Sequence, residues 1–435
     1  MVLQQNAEVK LWGWAKPFEP VHITMSWNSD TIKTSGDRLG MWKAVIQTTD
    51  AGGPHTIGLK GYNEVVINDI LMGEIWLCSG QSNMEWSAGS GIDNAEEAIA
   101  GANQPQVRLF SVNLRTAAAP QIDLEGEWVV CTPETMKYFS AIGYFFGKEI
   151  HSNLNVPVGI INSSWGGTPA ETWTSEKVIQ SDQQLNEVAN KMDTVPWGPT
   201  EPGRIFNAMI HPLIPFKLAG VLWYQGEGNV GFPGNYEYLL KTMISSWRKD
   251  WGFEFPFYFV QIAPYKYGRP VEGAYLRDSQ RKVLALSNTG MVVVSDIGNI
   301  DDIHPRNKID VGKRLANLAL HQTYGMSEKP ISGPLYKKLE IEKGKARVYF
   351  DHAEGGLKSD EKNLSYFLIA GEDEVFYKAK ATIDGSSVMV SSREVKNPVA
   401  VRFAWSNTAE PSLKNQAGLP TSTFRTDDWE VKFSE

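Results

Sequence analysis

Hydrophobic and polar positions change rhythm twice along this chain. Over the first 67 residues they alternate in short runs: Val9 to Trp14, Val21 to Trp27, Gly40 to Ile46 and His55 to Gly61, with Gly, Pro, Asn and Asp between them. Alternation at period two reads as half-buried strand, and short strands so punctuated predict a small β-sandwich over residues 1–67. From 68 to 330 the pattern becomes near-continuous apolar runs separated by helical stretches. The runs are Ile75–Cys78, Val107–Val112, Val158–Asn162, Gly220–Tyr224, Phe257–Gln261 and Met291–Ser295. Strands buried on both faces lose their alternation, and interleaved helices are the mark of α/β architecture. The helices expected are Phe139–Ile150, whose positions 139, 142, 145, 146 and 150 share one face, Tyr236–Trp251 and Lys308–Tyr324. A piece near 175–190 reads as a helical excursion. From 331 to 435 the chain returns to short strands and ends in a loop-rich stretch from Gly418 to Trp429. The expected fold is therefore α/β: a central three-layer α/β/α domain flanked by N- and C-terminal β regions, the latter free to pack on each other or on the centre.

Composition narrows the partners. A net charge of −8 over 435 residues excludes the basic field of a nucleic-acid surface. No run of about 18 apolar residues is present, so no membrane span is expected. The opening Met-Val-Leu-Gln-Gln lacks a basic and apolar leader, so no signal peptide is visible. The two cysteines, Cys78 and Cys131, sit in apolar surroundings and read as buried free thiols, neither a disulfide framework nor a metal site. No metal and no cofactor are implied. Fifteen Trp, 15 Tyr and 18 Phe supply core and leave some rings to face sugar rings.

Four strand ends carry the chemistry, and a parallel sheet holds its ligand crevice outside the carboxyl ends of its strands. After Ile75–Cys78 comes Ser79-Gly80-Gln81-Ser82-Asn83-Met84, which places Ser82 on a tight turn, poor for packing and good for presenting an Oγ. After Met291–Ser295 comes Asp301-Asp302-Ile303-His304-Pro305. Asp301 and His304 are three apart, a spacing that lets a carboxylate reach Nδ1 while Nε2 takes a proton from a serine. After Gly220–Tyr224 comes Gln225-Gly226-Glu227-Gly228-Asn229. There Gln225 can donate to a developing oxyanion, and Glu227 is a second carboxylate near the histidine. Gly226, Gly228 and Gly231 also match a dinucleotide fingerprint, but Pro233 and Gly234 break the helix that should follow. After Val158–Asn162 come Trp165-Gly166-Gly167-Thr168, whose glycine N–H groups can approach an anionic oxygen. A nucleophile, an acid–base pair and oxyanion donors thus converge. The carboxylates alone would suit a glycosidase, yet no pair of them stands without the serine and histidine.

On these residues the chain resembles the sialate O-acetylesterase family of SGNH-type hydrolases. Gly80-Gln81-Ser82-Asn83-Met84, Trp165-Gly166-Gly167-Thr168-Pro169-Ala170-Glu171, Trp223-Tyr224-Gln225-Gly226-Glu227, Asp301 to Pro305 and Phe424-Arg425-Thr426-Asp427 carry the resemblance over nearly the whole length. It implies an SGNH, flavodoxin-like catalytic domain over 68–330. It also implies Ser82 as nucleophile, His304 as general base, Asp301 or Glu227 as the orienting acid, and an oxyanion hole of the Ser82 and Gly166 N–H groups with the Gln225 side chain. Gln81, Asn83, Trp165 and Trp173, together with Trp86, are the substrate-lining candidates.

The activity so implied is removal of O-acetyl groups from sugars, 9-O-acetylated sialic acid first, with acetylated xylan or another plant polysaccharide as the alternative. A non-catalytic carbohydrate-binding protein is the reading from outside enzymology. Family habit points to a periplasmic, secreted or cell-surface setting, with a leader either removed or mis-called ahead of Met1. The oligomeric state is open.

Overall fold

The computed structural model describes residues 1–326 and 328–433. At its centre, strands β1 (Glu64–Gly80), β2 (Gln104–Ser111), β3 (Trp128–Cys131), β4 (Val158–Ser164), β5 (Gly220–Tyr224), β6 (Phe257–Val260) and β7 (Thr289–Val292) lie in the spatial order β7-β6-β5-β1-β4-β2-β3. All pair in parallel except β3, which closes one edge antiparallel to β2. The winding reverses at β1: later strands add outward through β5 on one side, while β4 and β2 fill the other. A ligand crevice forms where strand order reverses, and Ser82 follows β1 at its carboxyl end.

The buried residues of β1 explain its place. Ile75 and Leu77 point into one core with Trp223, Trp247 and Phe257, and Trp76 and Cys78 point into the opposite core with Phe146, Tyr258 and Leu315. Helices α1 (Ala141–Leu154) and α4 (Lys308–Gln322) cover the second face, and α2 (Tyr236–Trp251) covers the first. Side chains that alternate into two apolar layers have no polar face, which is why these strands read as unbroken apolar runs.

The N-terminal residues form one of the flanking β regions. A two-stranded ribbon, Glu8–Trp14 with Met41–Gln47, faces Pro20–Met25, Thr31–Ser35 and Gly52–Lys60 across Val9, Trp42, Ile46, Ile23, Ile57 and Ile70. Strand β1 runs unbroken across residues 67 and 68, from the N-terminal sheet into the central one. Val2–Gln4 also pairs with Leu71–Gly73 of the same strand. The C-terminal region packs two four-stranded sheets around Val348, Phe367, Val401, Phe403 and Phe424. It docks on helix α3 (Glu272–Lys282): Arg277 Nε donates to Thr423 Oγ1 at 3.0 Å, and Gln261 Nε2, on the segment after β6, donates to Ser422 Oγ at 2.8 Å. Among the described residues no helix is long and apolar enough to cross a membrane.

Candidate active site

The crevice is built from the carboxyl ends of β1, β4, β5 and β7. Strand β1 is clamped by both neighbours up to its last residue, Gly80 lying opposite Ser164 on one side and Tyr224 on the other. Gly80 has φ of +130°, and a Cβ there would collide with the Tyr224 carbonyl oxygen, so only glycine turns the chain at this point. Gln81 N–H then donates to that same carbonyl at 2.9 Å, and the turn Ser82–Glu85 begins.

Ser82 Oγ lies 2.8 Å from His304 Nε2. The imidazole lies flat against the Trp86 indole, with ring centroids 4.3 Å apart and planes 17° from parallel. Burial and the nearby Lys308 charge hold the imidazole below its ordinary value of 6.5, while Asp302 opposes them. His304 is thus neutral at neutral pH. In the tautomer whose Nε2 accepts from the serine hydroxyl, Nδ1 carries the ring proton.

Asp302, not Asp301, is the carboxylate that faces this proton. Asp302 Oδ1 accepts from the His304 N–H at 2.9 Å and stands 4.0 Å from Nδ1. An aspartate closes a turn onto the backbone two residues ahead, so the residue at spacing two is folded toward the imidazole and the residue at spacing three is not. Asp301 is exposed and pairs with Lys266. Glu227 is also absent from the imidazole. It is buried, its Oε1 accepts from Asn83 Nδ2 at 2.6 Å, its Oε2 has no partner among the described residues, and burial pushes its carboxyl up.

The expected oxyanion donors divide. Ser82 N–H has no acceptor among the described residues. Gly166 is close enough that a Cβ there would stand 3.2 Å from Ser82 Cβ, but its N–H donates to Glu85 Oε2 at 2.7 Å. Gln225 does not face the crevice. Its Nε2 donates to Thr168 O at 3.1 Å and Asn229 Oδ1 at 2.7 Å, and its Oε1 accepts from Tyr236 O–H at 2.8 Å. An amide with both hydrogens used inside the core has none for a substrate. Gln225 and Asn229 instead sew the loop after β5 to the loop after β4, since Asn229 also bonds Ala170 N–H and Glu171.

The lining candidates divide in the same way. Gln81 is buried and its Oε1 accepts from Gly226 N–H at 3.3 Å and Gly228 N–H at 3.1 Å. Asn83 is buried between Glu227 and Lys308. Trp173 is fully buried, edge-on to Trp223. These three are structural. Trp165 is half-buried, its Nε1 donating to Trp197 O at 3.2 Å, and Trp197 is an exposed ring lying over Gly167. Sequence reasoning did not single out Asp302, Glu85, Trp197 or Lys308. Asp302 lies inside a quoted motif and Glu85 directly follows another, whereas Lys308 resembles any lysine opening a helix.

The chain is a carbohydrate esterase, a carboxylic ester hydrolase with a solved counterpart. A carbohydrate acetylesterase from Xanthomonas citri superposes with a TM-score of 0.89 at 38% identity, covering 98% of this chain and 97% of that one. The family model for carbohydrate esterases described as sialic acid-specific acetylesterases matches residues 72–321, and the chain belongs to that family. A sialate O-acetylesterase of Pongo abelii is 28% identical over 93% of this chain and 86% of its own length. The human sialate O-acetylesterase is 30% identical over 78% and 72% respectively.

Proposed function

We propose that this esterase removes O-acetyl groups from sialic acid, the 9-O-acetyl ester foremost, through an acetyl-enzyme on Ser82. The observation that carries the proposal is the 2.8 Å contact between Ser82 Oγ and the neutral His304 Nε2 at the point where strand order reverses. His304 takes the Ser82 proton as Oγ adds to the acetyl carbonyl. It returns that proton to the sugar oxygen as the C–O bond breaks, leaving acetyl on Oγ. Water then adds with one proton passing to His304, and acetic acid leaves, to ionise in solution, as Oγ recovers that proton. Ser82 N–H serves the tetrahedral oxyanion, joined by Gly166 N–H once the Glu85 carboxylate turns away. Asp302 steadies the imidazolium.

Two charged groups bear on the choice of sugar. Arg306, two residues past His304, is exposed beside Gly91, with no ion-pair partner among the described residues, and suits a sialate carboxylate. Glu85 favours the second reading, a neutral acetylated sugar such as acetylated xylan, because a carboxylate beside Ser82 repels an anionic substrate. The test is acetate release by wild type and Ser82→Ala on 9-O-acetylated sialic acid and on acetylated xylo-oligosaccharides. The expected result is release from the sialic acid, reduced at least ~10⁴-fold in the variant. Release from the xylo-oligosaccharides alone selects the second reading, and release undiminished in the variant removes the serine mechanism.

A further inference from the structure

Beneath the Ser82–His304 contact lies a buried cation and a buried carboxyl group that do not touch. Lys308, the first residue of α4, is buried and its Nζ donates to Asn83 Oδ1 at 2.6 Å. Glu227 accepts from the other end of the same amide, Asn83 Nδ2, at 2.6 Å. The second Nδ2 hydrogen goes to Ile303 O at 3.0 Å, one residue before His304. With the ammonium on its oxygen and the carboxyl group on its nitrogen, the amide can face only one way. Asn83 directly follows Ser82. The segment bearing the serine therefore grips the turn bearing the histidine, and Lys308 holds the grip in orientation.

We propose that Lys308 is a positioning residue of the reaction: through Asn83 it locks the His304 turn onto the Ser82 turn, and its ammonium disfavours a second positive charge on His304. The assignment rests on the serine reading given above. Burying a charge without an ion-pair partner costs several kcal/mol, so a lysine is an unexpected choice for a mere spacer. Burial pushes the Lys308 amine down to about 7, opposed by Glu227 and Asp302. The Lys308 charge in turn disfavours protonation of His304. The other groups around the pair are the Tyr224 ring, 5.8 Å from Nζ, and the Glu85 carboxyl on Gly166. None of the three carboxyl groups reaches Nζ within ion-pair distance.

The experiment titrates the His304 imidazole by NMR in wild type, Lys308→Met and Lys308→Gln, with the resonance assigned by its loss in His304→Asn. It is paired with pH profiles of acetate release. Loss of the lysine should raise the His304 titration, and with it the acid limb of kcat/KM, by roughly one pH unit. In Lys308→Met kcat should fall ~10–100-fold with KM nearly unchanged, as expected when reacting groups are slightly misplaced. Lys308→Gln keeps an N–H for Asn83 Oδ1 and should recover most of kcat while keeping the raised titration. It also stands in should the Met variant not fold. A His304 titration that coincides with wild type in the variants overturns the proposal, even if activity falls. Because that titration is read without turnover, it decides the role of Lys308 even where wild type releases no acetate, a result that would instead count against the serine reading.

Discussion

The two sides of the crevice are held by different means. Ser82 follows a strand hydrogen-bonded on both edges and buried on both faces, and a sheet position of that kind fixes the backbone before any side chain acts. His304 stands on an irregular turn, Asp301 to Pro305, whose first four residues are exposed or half-buried. That turn is held by the Asn83 bond to Ile303 O, the Asp302 bond to the His304 N–H and the Trp86 ring against the imidazole. Two of those three groups, Asn83 and Trp86, come from the segment that bears the serine. The sheet side thus carries the fastenings for the irregular side.

The sharpest way to break this comparison is to remove each side and then both. Ser82→Ala and His304→Ala should each lose at least ~10⁴-fold in kcat for acetate release, and the double variant should be no worse than either alone, because residues acting as one unit are not additive. A double loss near the product of the two single losses would mean that they act independently.

Next in size is a change on the sheet side that leaves the reacting groups untouched. Gly80→Ala sets a Cβ against the Tyr224 carbonyl at a φ of +130°. It should lower stability by about 3 kcal/mol through strain and overpacking, read as a lowered urea midpoint. Asp301→Asn, on the exposed turn, should shift the same midpoint by less than about 0.5 kcal/mol. Equal shifts would mean that the turn is as rigidly embedded as the strand.

The same contrast explains what could be read from the sequence. The six parallel strands were legible because burial on both faces leaves apolar runs that stop abruptly at small polar residues, as at Cys78 and Tyr224. Helix α3 was missed because the residues it buries include Arg277, Asp278, Ser279 and Gln280. Arg277 and Asp278 bond the C-terminal segment, Ser279 bonds Pro233 O, and Gln280 bonds Gln225 O and Val260 O, so no apolar stripe marks the helix. Gln225 and Asn83 were placed in the motif correctly but given the wrong orientation. A polar side chain at a strand end reads the same whether it faces substrate or sews two loops together, and only the positions of Thr168, Asn229, Glu227 and Lys308 separate the cases. The irregular turn yielded its histidine and not its acid, because two adjacent aspartates differ there only in which one the turn folds inward.

That last ambiguity is also the finest test of the base side. Asp302 meets the imidazole Nδ1 at 4.0 Å with its side chain about half exposed, longer and wetter than a buried direct hydrogen bond. Water and salt weaken such a pair. Asp302→Asn should therefore lower kcat/KM by about 30-fold, well short of the ~10⁴-fold known where a buried triad aspartate is replaced. Its His304 titration should fall, because the carboxylate that favours the protonated ring is gone. Asp301→Asn, which gives up only its pairing with Lys266, should leave kcat/KM within about twofold, as surface ion pairs contribute little. The two profiles measured side by side assign the acid: a large loss in the Asp301 variant with little in the Asp302 variant would mean that the turn rearranges when substrate binds, and that the spacing of three residues governs the working enzyme after all.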